Sequence, residues 1–245
     1  MTAPATTITR LVFPDQANHH GTLFGGEALG MLASAGSIAA TRRARKPVVL
    51  AHSGSIDFIA PVQLGAIVET RGRVTRVGRS SLTVETALDA EDLLTGERHR
   101  ACEGELVFVA VDAAGSPTAV TQAEPHTSNE ENNGTRSVEL VLPGQANPTG
   151  VLFGGELMRL LDAVAFVAAS RTARVPLVTA RSERTDVVGR VEVGDLIDLT
   201  ATVTKTGTRS LAVDVQAIVE KPLIATRKPC TSASFVFVHP RTGHD

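Results

Sequence analysis

No tryptophan and no tyrosine occur in this chain of 245 residues, and its only aromatic side chains besides histidine are eight phenylalanines. A surface that holds single-stranded nucleic acid by stacking bases on rings is not expected from such a composition. Charge of one sign is missing as well, since 24 Lys and Arg against 26 Asp and Glu leave a formal net charge of -2, with the arginines spread along the chain. Nucleic acid and anionic membrane surfaces both require a concentrated basic patch, so neither is expected as a partner. No apolar run is long enough to cross a bilayer, and "MTAPATTITR" lacks the charged and apolar regions of a signal peptide. The expectation is a cytoplasmic protein. Only two cysteines are present, Cys102 and Cys230, neither in a CxxC nor near histidines at metal-ligand spacing. They read as small buried apolar residues, and no metal site is expected. GxGxxG, Walker and GxSxG motifs are also lacking.

What is present is a duplication. A shift of 129 residues lays "LVFPDQANHHGTLFGGE" (11–27) on "LVLPGQANPTGVLFGGE" (140–156), with twelve of seventeen positions identical. The register continues through Pro47 and Pro176, Asp57 and Asp186, Gly65 and Gly194, Gly78 and Gly207, and Ser81 and Ser210. Two copies of one fold follow, predicted over 5–120 and 136–240. Between them "TQAEPHTSNEENNGT" (121–135) is polar and reads as a linker.

Each copy has the same order of elements. A short β-branched strand (7–13, 136–142) leads through a glycine-containing loop into a helix (26–44, 155–173). Glu27 and Glu156 suit the positive end of the helix dipole, and Arg42, Arg43 and Arg45, or Arg171 and Arg174, suit the negative end. The run "TRRARK" is accordingly a helix C-terminus and not a binding patch. Beyond each helix lie stretches with period-two alternation. "IVETRGRV" puts Val68, Thr70, Gly72 and Val74 on one face, and "LAVDVQAIV" puts Leu211, Val213, Val215, Ala217 and Val219 on another. Each copy is therefore α+β, a curved antiparallel sheet wrapped around one helix of about 18 residues.

The ordered set of Asn and "GTLFGGE", a helix, "FIAPVQLGAIVETRGRVTRVGRSSLTVET", "TGER" and a closing "FVAVD" resembles the hotdog-fold acyl-CoA thioesterases, and its duplication resembles their double-hotdog type. The resemblance implies two tandem hotdog domains paired as a pseudo-dimer, with sheets joined edge to edge and helices antiparallel. It also implies an acyl-CoA substrate, no cofactor apart from the CoA of substrate and product, and a homo-oligomer built as a trimer of such chains.

In that arrangement the N-terminal loop of one repeat faces the middle of the other repeat's helix, so two composite sites are expected. Thioester hydrolysis needs a water deprotonated near the carbonyl carbon and donors where the oxyanion develops. The first N–H groups of a helix lack intrahelical partners, and Gly25 and Gly26, after Phe24, keep side chains out of a substrate's way. Asp162 lies two turns into an apolar helix, where an unpaired charge is costly, and reads as general base or nucleophile. The first site combines Asn18, Gly25 and Gly26 with Asp162. The second combines Asn147, Gly154 and Gly155 with Ala33, which cannot take a proton.

Arg79 with Ser81, and Arg209 with Ser210, lie at strand turns that the resemblance places near the CoA phosphates, for which planar Arg donors are suited. His19 and His20 become Pro148 and Thr149 in the other copy and read as loop residues. Leu29, Met31 and Met158 are candidates for closing an acyl tunnel. Hydratases share the fold but pair an acid with a His on another loop, and no such His lies near Asp162 in the motif. The reading from another class is a non-catalytic acyl-CoA binding or sensing protein.

Overall fold

Alternation decides which face of each strand meets a helix. The computed structural model describes residues 5–120 and 134–240. Repeat one runs β1 (Thr6–Leu11), α1 (Gly25–Ala44), β2 (Val48–Phe58), β3 (Ile67–Val77), β4 (Ser81–Glu91) and β5 (Arg98–Ala110). Repeat two runs β6 (Thr135–Leu140), α2 (Gly154–Ala173), β7 (Val178–Val187), β8 (Leu196–Thr206), β9 (Ser210–Lys221) and β10 (Thr226–Val238). The spatial orders are β1-β3-β4-β5-β2 and β6-β8-β9-β10-β7, antiparallel throughout. Thr135, the last residue of the expected linker, begins β6, and the rest of that linker except Gly134 lies outside the described residues.

On β4, Leu82, Val84, Thr86, Leu88 and Ala90 point into the core, and on β9 the five residues from Leu211 to Val219 do the same. Val68, Thr70 and Val74 of β3 are buried as their pattern required. Gly72 is required by closeness alone, because a Cβ there would stand 2.5 Å from the carbonyl oxygen of Ala35 on α1.

The repeats meet along a pseudo-two-fold axis beside β1 and β6. Ile8 of β1, Ala35 and Ile38 of α1, Val138 of β6 and Leu196 of β8 form one buried cluster across it. The Thr9 N–H donates to Ser137 Oγ (3.0 Å) and the Thr9 hydroxyl to the Arg136 carbonyl (2.7 Å). Arg10 pairs with Glu139, its own counterpart in the repeat register.

Two matching charge networks flank the cluster. Arg42, near the end of α1, reaches Glu220 on β9 (2.6 Å), and Arg171, near the end of α2, reaches Glu91 on β4 (2.8 Å) and Glu69 on β3 (2.6 Å). Arg227 joins the first network at Glu220 and Asp198, and Arg98 joins the second at Glu91 and Glu69. Burial alone would push the carboxyls of Glu69, Glu91 and Asp198 up, but their arginine partners hold all three below the usual range. Arg42 and Arg171, expected to serve the helix dipole, thus also bind the other repeat. Arg45 and Arg174, which cap the helices in the left-handed region at φ 54° and 52°, also cross over, to the Pro222 carbonyl (3.0 Å) and to Glu91 (2.6 Å).

Edge pairing is therefore narrower than the expected joining of sheets. Side chains, not a backbone ladder, tie β1 to β6, and the two sheets stay separate. The opposite edges, β2 and β7, have no strand beside them among the described residues. Most of β2 is exposed on both faces, including Val49 and Leu50, and on β7 Val178 and Val187 are exposed. Long, bare edges of this kind are templates for pairing with another strand.

Candidate active site

Each helix starts from a loop held together by its asparagine. Asn18 Oδ1 accepts from the N–H of His20 (2.8 Å) and Thr22 (3.3 Å), while its Nδ2 donates to Thr22 Oγ1 (2.9 Å). Asn147 Oδ1 accepts from the N–H of Thr149 (2.9 Å) and Val151 (3.1 Å) and from the Thr149 hydroxyl (2.8 Å). The asparagine is thus a loop brace, and its NH2 group is what remains to offer a ligand. His19 and His20 are exposed loop residues, as expected.

The two glycines serve different ends. A Cβ on Gly26 would stand 2.6 Å from the Phe24 ring, and one on Gly155 would stand 2.7 Å from the Phe153 ring. The second glycine therefore makes room for a phenylalanine folded over the helix start. A Cβ on Gly25 would meet only the Phe58 ring, at 3.7 Å, and nothing lies within 4 Å of a Cβ at Gly154. No acceptor among the described residues engages the N–H of Gly25 or Gly26, so both point free at the helix N-terminus.

Asp162 is partly buried on α2, has no ion pair among the described residues, and accepts one hydrogen bond, from Thr179 Oγ1 on β7 (3.0 Å). Burial raises its pKa above the ordinary carboxylate range, and the Thr179 bond offsets part of that rise. Sequence reasoning missed Thr179. Its counterpart is Leu50, so repeat one lacks both the acid and the hydroxyl, with Ala33 and Leu50 in their places. The repeat register itself carried that signal.

Among the described residues no hydrogen bond joins Asn18 to Asp162, whose partners are Thr22 and His20 for the one and Thr179 for the other. An α-helix turns 100° per residue, so Asp162 and Arg171, nine residues apart, lie on opposite sides of α2. Arg171 faces repeat one, bonded to Glu91 and Glu69. Asp162 therefore faces away, toward β7 and its open edge. The loop of Asn18, Gly25 and Gly26 likewise lies beside the end of β2, where Phe58 meets Gly25.

Arg79 sits on the exposed turn between β3 and β4, and Arg209 on the turn between β8 and β9, where its Nη2 donates to the His239 carbonyl (3.3 Å). Ser81 and Ser210 close these turns, their carbonyls accepting from Gly78 and Gly207 (both 2.7 Å). Each turn stands a whole strand, roughly 35 Å, from the helix start of its own repeat. Leu29 is exposed, Met31 buried and Met158 partly buried beside the core of repeat two. Both cysteines are free and buried. Among the described residues no cluster suits a metal ion, and no helix is long and apolar enough to cross a membrane.

Comparison with known proteins agrees with this architecture. A crystal structure of an acyl-CoA hydrolase from Agrobacterium tumefaciens superposes with a TM-score of 0.84 at 34% identity, covering 99% of this chain and 97% of that one. An uncharacterized acyl-CoA thioester hydrolase of Bacillus subtilis is 39% identical over 122 residues, which are 50% of this chain and 71% of the relative. The human cytosolic acyl coenzyme A thioester hydrolase is 23% identical over 94% of this chain and 72% of its own length. Residues 20–97 and 149–225 each match the thioesterase superfamily, and since these two stretches make up more than half of the sequence, the chain belongs to that superfamily.

Proposed function

We propose that this chain is an acyl-CoA thioester hydrolase whose working site joins Asp162 and Thr179 of one chain to Asn18, Phe24, Gly25 and Gly26 of another. The observation that carries the reading is Asp162 itself, a partly buried acid with no ion pair, held by a hydroxyl and turned to an open edge. Antiparallel pairing of β7 with a second chain's β2 sets the Phe58 end of β2 beside the Val178 end of β7. Thr179, Asp162 and the Arg209 turn then approach the free N–H groups of Gly25 and Gly26.

Asp162 takes a proton from water as the water oxygen bonds to the thioester carbon. The Gly25 and Gly26 N–H groups hold the oxyanion, and the Asn18 amide orients the water or the thioester. Collapse breaks the C–S bond, the acyl group leaves as the carboxylic acid, and the CoA sulfur takes the proton. No cofactor is needed beyond the CoA that substrate and product carry. Arg209 and Ser210 lie on the CoA side of this site. Arg79 and Ser81 occupy the same place in the reciprocal pair of Asn147, Gly154 and Gly155 with Ala33 and Leu50, which lacks a base. Because the contact joins unlike edges it propagates from chain to chain, and a ring of three chains closes it. The cytosolic human relative supports a cytoplasmic location.

Release of free thiol from a series of acyl-CoAs, by the natural protein and by Asp162→Asn, tests the reading. Hydrolysis lost in Asp162→Asn is the expected result. Saturable CoA binding with no thiol released from any acyl-CoA would instead make the protein an acyl-CoA binder or sensor.

A further inference from the structure

Alanine stands at position 28 of α1, and leucine stands at the matching position 157 of α2. Beneath the start of α1 this leaves a cavity of about 210 Å³, whose lining includes Ala28, Phe58, Ile59, Leu88, Ala101 and Cys102. Leu88 and Cys102 make a closed floor, 0% and 1% exposed, while Phe58 and Ile59 at the mouth are 56% and 54% exposed. Burial pushes the Cys102 thiol up to about 11, so the floor stays uncharged at neutral pH.

The mouth adjoins the reacting position. Phe58 lies against Gly25, whose free N–H is one of the two that would hold the thioester oxygen. Repeat two differs at the same place. Leu157 is buried in its core, and Gly189, opposite Ala60, brings the chain after β7 so close that a Cβ there would stand 3.1 Å from Cys230. A mostly apolar pocket whose floor is buried, and whose mouth at Phe58 lies beside Gly25, suits an alkyl chain better than a sugar or a nucleotide base.

Resting on the thioesterase reading above, we propose that this pocket of repeat one holds the acyl chain, and that Ala28 and Leu88 set the longest chain it accepts. A cavity of about 150 Å³ holds the six carbons of benzene, so at that density this one takes roughly eight carbons. The substrates are accordingly short- to medium-chain acyl-CoAs. Only the repeat that carries Asn18, Gly25 and Gly26 has Ala28, which adds an independent reason to place the working oxyanion loop there.

Two measurements on the full chain test this. The first is the affinity, by calorimetry, of non-hydrolysable alkyl thioethers of CoA of rising length. Binding should tighten by about fourfold for each buried methylene and level off near roughly eight carbons. Ala28→Leu should level off at least two carbons earlier and Leu88→Ala at least one carbon later. Leu157 and Ala217 already stand at these positions in repeat two, so both variants have precedent in the fold. The second is kcat/KM over the matching acyl-CoA series, with the same ordering expected.

Affinity that climbs steadily to palmitoyl length, or a limit unmoved in both variants, overturns the pocket. A shifted binding limit with no hydrolysis at any length overturns the thioesterase reading and leaves the pocket standing. Hydrolysis whose length preference ignores both variants does the reverse.

Discussion

The outer edges of the two repeats, β2 and β7, occupy equivalent places and differ where chemistry would be done. On the β7 side Asp162 and Thr179 form a hydrogen-bonded pair, and on the β2 side Ala33 and Leu50 fill the same two positions. The inner edges show the contrary. There Arg42 matches Arg171, Glu220 matches Glu91 and Asp198 matches Glu69, and both networks are intact. Duplicated interfaces that hold the repeats together have kept their symmetry, whereas the surfaces facing outward have diverged. A second catalytic set is dispensable when one suffices. A half-removed buried ion pair leaves an uncompensated charge, which constrains both networks equally.

The largest effect that separates the edges is expected at Asp162. Asp162→Asn should lower kcat by roughly 10²–10⁴-fold, the usual worth of a positioned general base, while Ala33→Asn should change kcat little. Equal losses in the two variants would remove the distinction between the sites. On the inner side, Glu220→Ala and Glu91→Ala should each destabilise the protein by about 3 kcal/mol, as read from denaturant unfolding. Similar values are the prediction, since the networks match, and a several-fold disparity would break it. These networks also fix the acid response. Glu69, Glu91 and Asp198 have folded pKa values below their unfolded ones, so their stabilisation is present above about pH 4 and is lost as pH falls through the lowered values.

A smaller effect tests the degenerate site. Ala33→Asp should raise the number of working sites detected by active-site titration, and adding Leu50→Thr should increase the turnover of the new site by less than tenfold, because the hydroxyl only tunes the acid. The smallest effect is expected at Thr179. Thr179→Val removes the bond that lowers the Asp162 pKa, so the acid limb of the pH profile should move to higher pH, with kcat above that limb reduced by less than tenfold. An unmoved limb would show that Asp162 is not the titrating group.

Much of this was legible in the sequence. The register between "LVFPDQANHHGTLFGGE" and "LVLPGQANPTGVLFGGE" gave two copies, and period-two runs such as "LAVDVQAIV" gave the buried faces, because burial on one side of a sheet imposes alternation directly. Asp162 stood out because a charge amid apolar helix residues is costly. Thr179 did not, since a threonine in a strand is ordinary there and only its contact with Asp162 distinguishes it. Which side of α2 meets the other repeat was not legible either. Both sides carry small and apolar residues, and the choice is made by Arg171 finding Glu91 and Glu69, residues far away in sequence. Gly26 was read as an opening for substrate, and its stronger cause, the ring of Phe24, depends on a side-chain rotamer.

The opposed placement of Arg171 and Asp162 on α2 has a consequence for how the protein responds to dilution. Duplication has made the contact on the Arg171 side intramolecular, so an effective concentration set by the chain itself maintains it however few molecules are present. The contact on the Asp162 side enjoys no such tether in the assembly we propose. Its occupancy follows the amount of protein, and the covalent fusion has secured the seam without chemistry while leaving the seam with chemistry to mass action.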